Sequence, residues 1–142
     1  MTTVLKSVLV PHSAATMFAL VDDVERYPEF LPWCPATQVL ERTGEVTRAR
    51  IDIGYHGLKT HITTLNRKLP PERMDLELVD GPFRRFQGRW RFEPLGEAGC
   101  RVELSLDYTF SNVATGAILR PVLGPVLESL VDRFVARAQA LA

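Results

Sequence analysis

The chain has 142 residues, of which 46% are hydrophobic, 24% charged and 8% aromatic, close to the proportions of an average globular domain. Seventeen Lys and Arg balance 17 Asp and Glu, which excludes a globally basic nucleic-acid binder and an acidic tail protein. Any charged partner must be met by a local patch. A chain this long buries about two-thirds of its unfolded surface unaided, so residues 1–142 are expected to form one domain. Cys34 and Cys100 are far apart and fall in no CxxC or Cys/His cluster, so neither a zinc site nor a disulfide framework is indicated.

Residues 3–11 read as a strand, with Val4, Val8 and Val10 on one face at period two and Lys6 as the exception. Ser13 is placed to cap a helix that carries Met17, Phe18 and Val21 on its apolar stripe and ends near Asp22. The segment Tyr27 to Pro35 combines three prolines with three aromatics and is expected to be an apolar loop. From Ala36 to about Ser111 the chain reads as six strands, with turn signals at Gly44, His56-Gly57, Pro70-Pro71, Gly81-Pro82 and Gly96 to Gly99. A two-residue turn at His56-Gly57 sets Ile51 and Ile53 opposite Ile62 and Thr60. Later strands repeat an apolar face through Met74, Leu76 and Leu78, then Phe86, Trp90 and Phe92, then Leu104, Leu106 and Tyr108. Residues 114–141 place Leu119, Leu123, Leu127, Leu130 and Phe134 at helical spacing, which predicts one long amphipathic helix, irregular around Pro121 and Pro125 and regular from Val126.

This order defines an α+β domain. About seven strands at ~4.8 Å spacing make a sheet roughly 30 Å wide, whereas one helix covers about 10–12 Å of it. The sheet must curl round the helix, and an elongated apolar cavity is expected between them.

Catalytic constellations are not evident: the chain has no GxSxG elbow, P-loop, dinucleotide fingerprint or HExxH. His12, His56 and His61 read as turn or surface residues, and Asp22, Asp23 and Glu25 as a solvated acidic loop. Cys34 reads as a small buried hydrophobe, because no Lys, Arg or His lies beside it to lower its pKa. Phe30, Trp33 and Tyr27 suit either a lid over the cavity or plain core packing. Arg85, Arg89 and Arg91 share one strand face. That row either contacts phosphates of lipid headgroups or RNA, or is a solvated face neutralised by Glu103 and Asp107 on the next strand.

The blocks YPEFLPWC (Tyr27 to Cys34), RFQGRWRF (Arg85 to Phe92), DYTFSN (Asp107 to Asn112) and the closing LVDRFVARAQAL together resemble the coenzyme Q-binding START-like family, over essentially the whole chain. This is a branch of the polyketide cyclase/lipid transport superfamily whose bacterial members are also called ribosome-association toxins. The resemblance implies a helix-grip fold, a seven-stranded antiparallel sheet wrapped round a long C-terminal helix with a hydrophobic tunnel. It also implies functional weight at Pro32, Trp33 and Cys34, and at Phe86, Trp90 and Phe92. The two helix prolines depart from the family pattern at the tunnel mouth, near Leu119 to Val126.

The leading expectation is a non-enzymatic binder of ubiquinone or a related polyprenyl lipid that supports respiratory electron transport, with no other cofactor. Its tail would lie along Ile51, Ile53, Leu76, Leu78, Leu104 and Leu106 on the sheet and Leu123, Leu127 and Leu130 on the helix. Phe30, Cys34 and Phe86 would border it, and Tyr108, Trp33 and Trp90 would hydrogen-bond its head. The alternative is a toxin that binds the large ribosomal subunit through the arginine row and blocks subunit joining. A small-molecule cyclase or hydrolase is the weakest reading, because no acid/base pair points inward. The N-terminus lacks a signal or transit pattern, so a cytoplasmic protein with peripheral contact at the inner membrane is expected.

Overall fold

A computed structural model describes all residues 1–142. The elements follow in the order β1 (Thr2–Val10), α1 (Ala14–Asp22), a short 3₁₀ helix (Val24–Glu29), β2 (Thr37–Arg42), β3 (Val46–Tyr55), β4 (Leu58–Leu69), β5 (Arg73–Asp80), β6 (Phe83–Pro94), β7 (Cys100–Phe110), α2 (Val113–Glu128) and α3 (Leu130–Leu141). The seven strands form one antiparallel sheet in the order β1-β7-β6-β5-β4-β3-β2. The first strand therefore pairs with the last, and the helices lie against the inner face.

Local chemistry accounts for these elements. Thr16 N donates to Ser13 Oγ at 3.1 Å, which caps α1 where the sequence places the cap. At the β3–β4 hairpin His56 has φ 50° and Gly57 φ 81°, the two positive values that a tight turn with the strand twist requires. The resulting register pairs Ile51 with Ile62, Ile53 with Thr60 and Asp52 with His61. Strand β7 sits between β1 and β6 and alternates strictly, burying Cys100, Val102, Leu104, Leu106, Tyr108 and Phe110. Lys6, the polar exception on the inner face of β1, reaches Glu128 Oε2 at 3.5 Å.

The expected single C-terminal helix is corrected to two, bent by 41° at Ser129. The prolines do not cause the break, since α2 runs through Pro121 and Pro125. The interruption falls where Ser129 Oγ donates to Val126 O at 2.9 Å and so competes for a helix carbonyl. Leu123, Val126, Val131, Phe134 and Ala138 keep their buried faces across the bend, which is why the 3.6-residue period reads through it unbroken.

The acidic run after α1 is also corrected. Asp22 accepts from Lys68 Nζ at 3.2 Å and from Thr47 Oγ1 at 3.4 Å, and the Lys68 side chain is only 4% exposed. Glu25 takes both Arg42 amines, at 2.5 and 2.8 Å, and Asp23 pairs with Arg26 at 3.1 Å. Asp22 and Glu25 thus tie α1 and the 3₁₀ helix to the sheet, whereas Asp23 bonds only within its own turn.

Candidate functional site

Between the sheet and the helices lies a cavity of about 90 Å³. Its walls are Ile51, Ile53, Ile62, Met74, Leu76, Phe83, Phe86, Trp90, Leu104 and Leu106 on the sheet, and Val21, Leu123, Val126, Leu127, Leu130 and Phe134 on the helices. Tyr27 and Trp33 close one side, and only Thr64 and Asn66 bring a non-aromatic polar side chain.

Two aromatic clusters keep this space small. Phe134 meets Tyr27, Phe30 and Trp90 edge to face at centroid distances of 5.3, 5.2 and 5.4 Å. Around β6 and β7, Phe83 packs on Phe86 at 5.1 Å, on Tyr108 at 5.8 Å and on Phe110 at 5.2 Å. The width argument for a container holds, but large rings fill much of it.

The polar groups on the wall are few and specific. Thr64 Oγ1 donates to Asn66 Oδ1 at 2.8 Å, which occupies the carbonyl end of Asn66 and leaves its amide end free. The indole nitrogen of Trp33 is buried without a hydrogen-bond partner, a state that costs free energy unless something arrives to accept from it. Tyr27 donates its hydroxyl to Val21 O, and burial, reinforced by nearby Asp22, raises its pKa well above the usual phenol value. It therefore stays protonated and is committed as a donor.

Of the residues expected on the wall, Trp33, Ile51, Ile53, Leu76, Phe86, Trp90, Leu104, Leu106, Leu123, Leu127 and Leu130 meet round the cavity. Four do not. Phe30 lies behind Phe134, with the Arg137 guanidinium 5.1 Å above its ring. Leu78 sits half-buried farther along β5, paired with Thr64. Tyr108 is enclosed by Phe83, Phe86 and Phe110, so it cannot serve the head of a ligand in this space. Cys34 is buried off the wall, donates to Ala36 O at 3.6 Å and has its thiol pushed up by burial to about 11. Ile62, Met74, Phe83 and Phe134 also line the wall; Ile62, Met74 and Phe134 lie on faces the sequence marks as apolar, whereas Phe83 is out of step with Phe86 at period two and turns inward through the register shift between Phe83 and Arg85. Thr64 and Asn66 are different. Period two from Ile62 would have turned them inward, but polar residues break a search for apolar stripes.

The arginine row on the outer sheet face splits. Arg89 donates to Asp75 Oδ1 at 2.7 Å, so its partner comes from β5 rather than from β7 as expected. Asp107 accepts from Thr3 instead, at 2.8 Å, and Glu103 stands opposite Arg91 in register without an ion pair. Arg85 and Arg91 remain exposed and unpaired.

A curled seven-stranded antiparallel sheet gripping C-terminal helices over an apolar cavity defines the helix-grip class of lipid- and polyketide-binding folds. The model of the family described as polyketide cyclase / dehydrase and lipid transport matches residues 10–135, and the chain belongs to that family. It is 38% identical over 140 residues to the ribosome association toxin RatA of Pseudomonas aeruginosa, covering 99% of this chain and 97% of that one. It is 28% identical to the mitochondrial coenzyme Q-binding protein of Schizosaccharomyces pombe, covering 92% and 83%. A START superfamily protein from Mycobacterium smegmatis superposes with a TM-score of 0.80 at 25% identity, over 99% of both chains. A Streptomyces aromatase/cyclase superposes at 0.84 with 16% identity, over 97% and 93%, so the fold itself serves enzymes as well as binders.

Proposed function

We propose that the chain is a non-enzymatic carrier of ubiquinone or a related polyprenyl lipid. The observation that carries this reading is an apolar wall interrupted by one hydrogen-bonding pair, Thr64 and Asn66, with Trp33, whose buried N–H has no partner, also among the lining residues. A quinone ring has carbonyl oxygens for such donors, and its isoprenoid tail gains about 25 cal/mol per Å² from apolar burial. Pockets for drug-sized ligands span roughly 300–1,000 Å³. The 90 Å³ space is smaller than that, so on this reading the lipid enters by parting the α2–α3 layer from the sheet. The only titratable side chain on the wall is Tyr27, whose hydroxyl is already committed to Val21 O, which argues against acid/base chemistry. The Schizosaccharomyces relative, named as a coenzyme Q-binding protein, supports this reading.

The test is native mass spectrometry of protein purified from its own host, followed by organic extraction. A stoichiometric quinone is expected. Protein that emerges empty, and whose melting temperature does not respond to added short-chain quinone, would refute the reading.

A second reading, association with the large ribosomal subunit, is favoured by unpaired Arg85 and Arg91 and by the name of the Pseudomonas relative. Replacing both arginines by Glu should abolish co-sedimentation with large subunits and leave quinone binding unchanged, with the wild-type interaction weakening steeply in salt.

A further inference from the structure

The outward face of α2 is apolar where a surface helix is normally polar. Val113 is 91% exposed and Ile118 64%, and Ala114, Ala117 and Pro121 are exposed beside them. These positions share one face, while Gly116, Leu119, Leu123 and Val126 bury the other. The face lies at the end of the molecule where β6 begins and β7 ends. There Phe83 pairs with Phe110, Arg85 pairs with Thr109, and Ser111 N donates to Pro82 O at 3.0 Å. The Arg120 guanidinium rests 5.5 Å above the Phe110 ring, holding the start of α2 against this corner.

Arginines outnumber carboxylates around the face. Arg84, Arg85 and Arg120 are exposed and make no ion pair. Two carboxylates lie in this region and keep their charge, Asp80, which accepts from His61 at 3.0 Å and from Gly81 N, and Asp107, which accepts from Thr3, so the three arginines leave the corner with a positive excess. A handful of side chains is far short of the roughly 800 Å² per partner that a stable protein interface buries. An apolar helix face flanked by arginines instead matches a helix lying in a membrane interface, with alkyl groups in the acyl boundary and guanidinium groups on phosphates. No single helix here is long and apolar enough to cross a membrane.

We infer that the outward face of α2, with Val113 and Ile118 as anchors and Arg84, Arg85 and Arg120 as the rim, docks the protein on an anionic lipid bilayer. This stands on the surface alone and does not need the cavity to hold a quinone. Because Leu123, Val126 and Leu127 of the same helix wall the cavity, docking would bring one side of that helix to the lipid and the other to the interior.

The test is co-sedimentation of the full chain with phosphatidylglycerol/phosphatidylcholine vesicles and with phosphatidylcholine alone, at low and moderate salt. Wild type should partition onto the anionic vesicles and lose most of that binding on phosphatidylcholine. Val113→Asp/Ile118→Asp should cut partitioning at least tenfold, and Val113→Ser/Ile118→Ser should do so without added charge. Arg84→Gln/Arg85→Gln should lower it roughly fivefold per arginine, on anionic vesicles only. All four positions are exposed, and circular dichroism confirms that each variant is folded. The inference is overturned if wild type ignores anionic vesicles or if the Asp and Ser pairs bind as wild type does. It is equally overturned if the Asp pair loses binding to large ribosomal subunits while no form of the protein binds vesicles, since the face would then belong to a macromolecular partner.

Discussion

Lys68 places its ammonium 3.2 Å from Asp22 with almost no exposure to water, so the pair is a case in which losing one member matters more than losing both. Asp22→Ala should destabilise the fold by about 2–3 kcal/mol in urea denaturation, while Asp22→Leu/Lys68→Met recovers most of that loss. Cys34 makes a different prediction, because its thiol titrates at about 11 rather than 9. The folded state holds this proton more tightly than the unfolded state, so stability is fully present below pH 9 and declines as pH rises through 11. Thermal unfolding of wild type and Cys34→Ala across that window should converge as this contribution is lost, and wild-type Cys34 should alkylate slowly at neutral pH. Sequence made the inertness of Cys34 legible through its neighbours. It could not place Tyr108, because period two gives the face of a strand but not the depth of its surroundings. Three phenylalanines surround that ring, and only the assembled sheet shows them.

Among the elements, α1, the hairpin at His56-Gly57 and all seven strands were legible because each is set by local signals: a cap, a positive-φ turn, an alternation. The C-terminal pair of helices was not. Prolines are the visible breakers, yet α2 accommodates two of them, and the bend comes from a serine whose hydroxyl competes with the backbone. The prolines still matter, since each lacks the N–H that would bond one turn back. Pro125→Ala restores a donor toward Pro121 O, and the amides of α2 should then exchange more slowly in hydrogen–deuterium exchange. If α2 is the wall that parts to admit the lipid, quinone uptake should slow in parallel.

For the whole molecule, the mismatch between sheet width and helix width made an interior space legible before any contact was known. The size of that space was not, because it depends on how Phe134, Trp90 and Phe83 turn their rings. Phe134→Ala should enlarge the cavity at a cost of about 3–5 kcal/mol, and the melting temperature lost should be partly regained with added short-chain quinone. The strand order has a separate consequence in time. Thr2 pairs with Tyr108 and Val10 with Cys100, so β1 finds its only neighbour after some hundred residues of chain. A ribosome adding about 5–20 residues per second leaves β1 waiting for seconds, and pairing at such sequence separation is intrinsically slow. During synthesis the meander from β2 to β7 can assemble first, with its apolar inner face bare until α2 and α3 emerge. The nascent chain is thus most vulnerable to aggregation, and most in need of a chaperone, in the interval just before its last thirty or so residues are made.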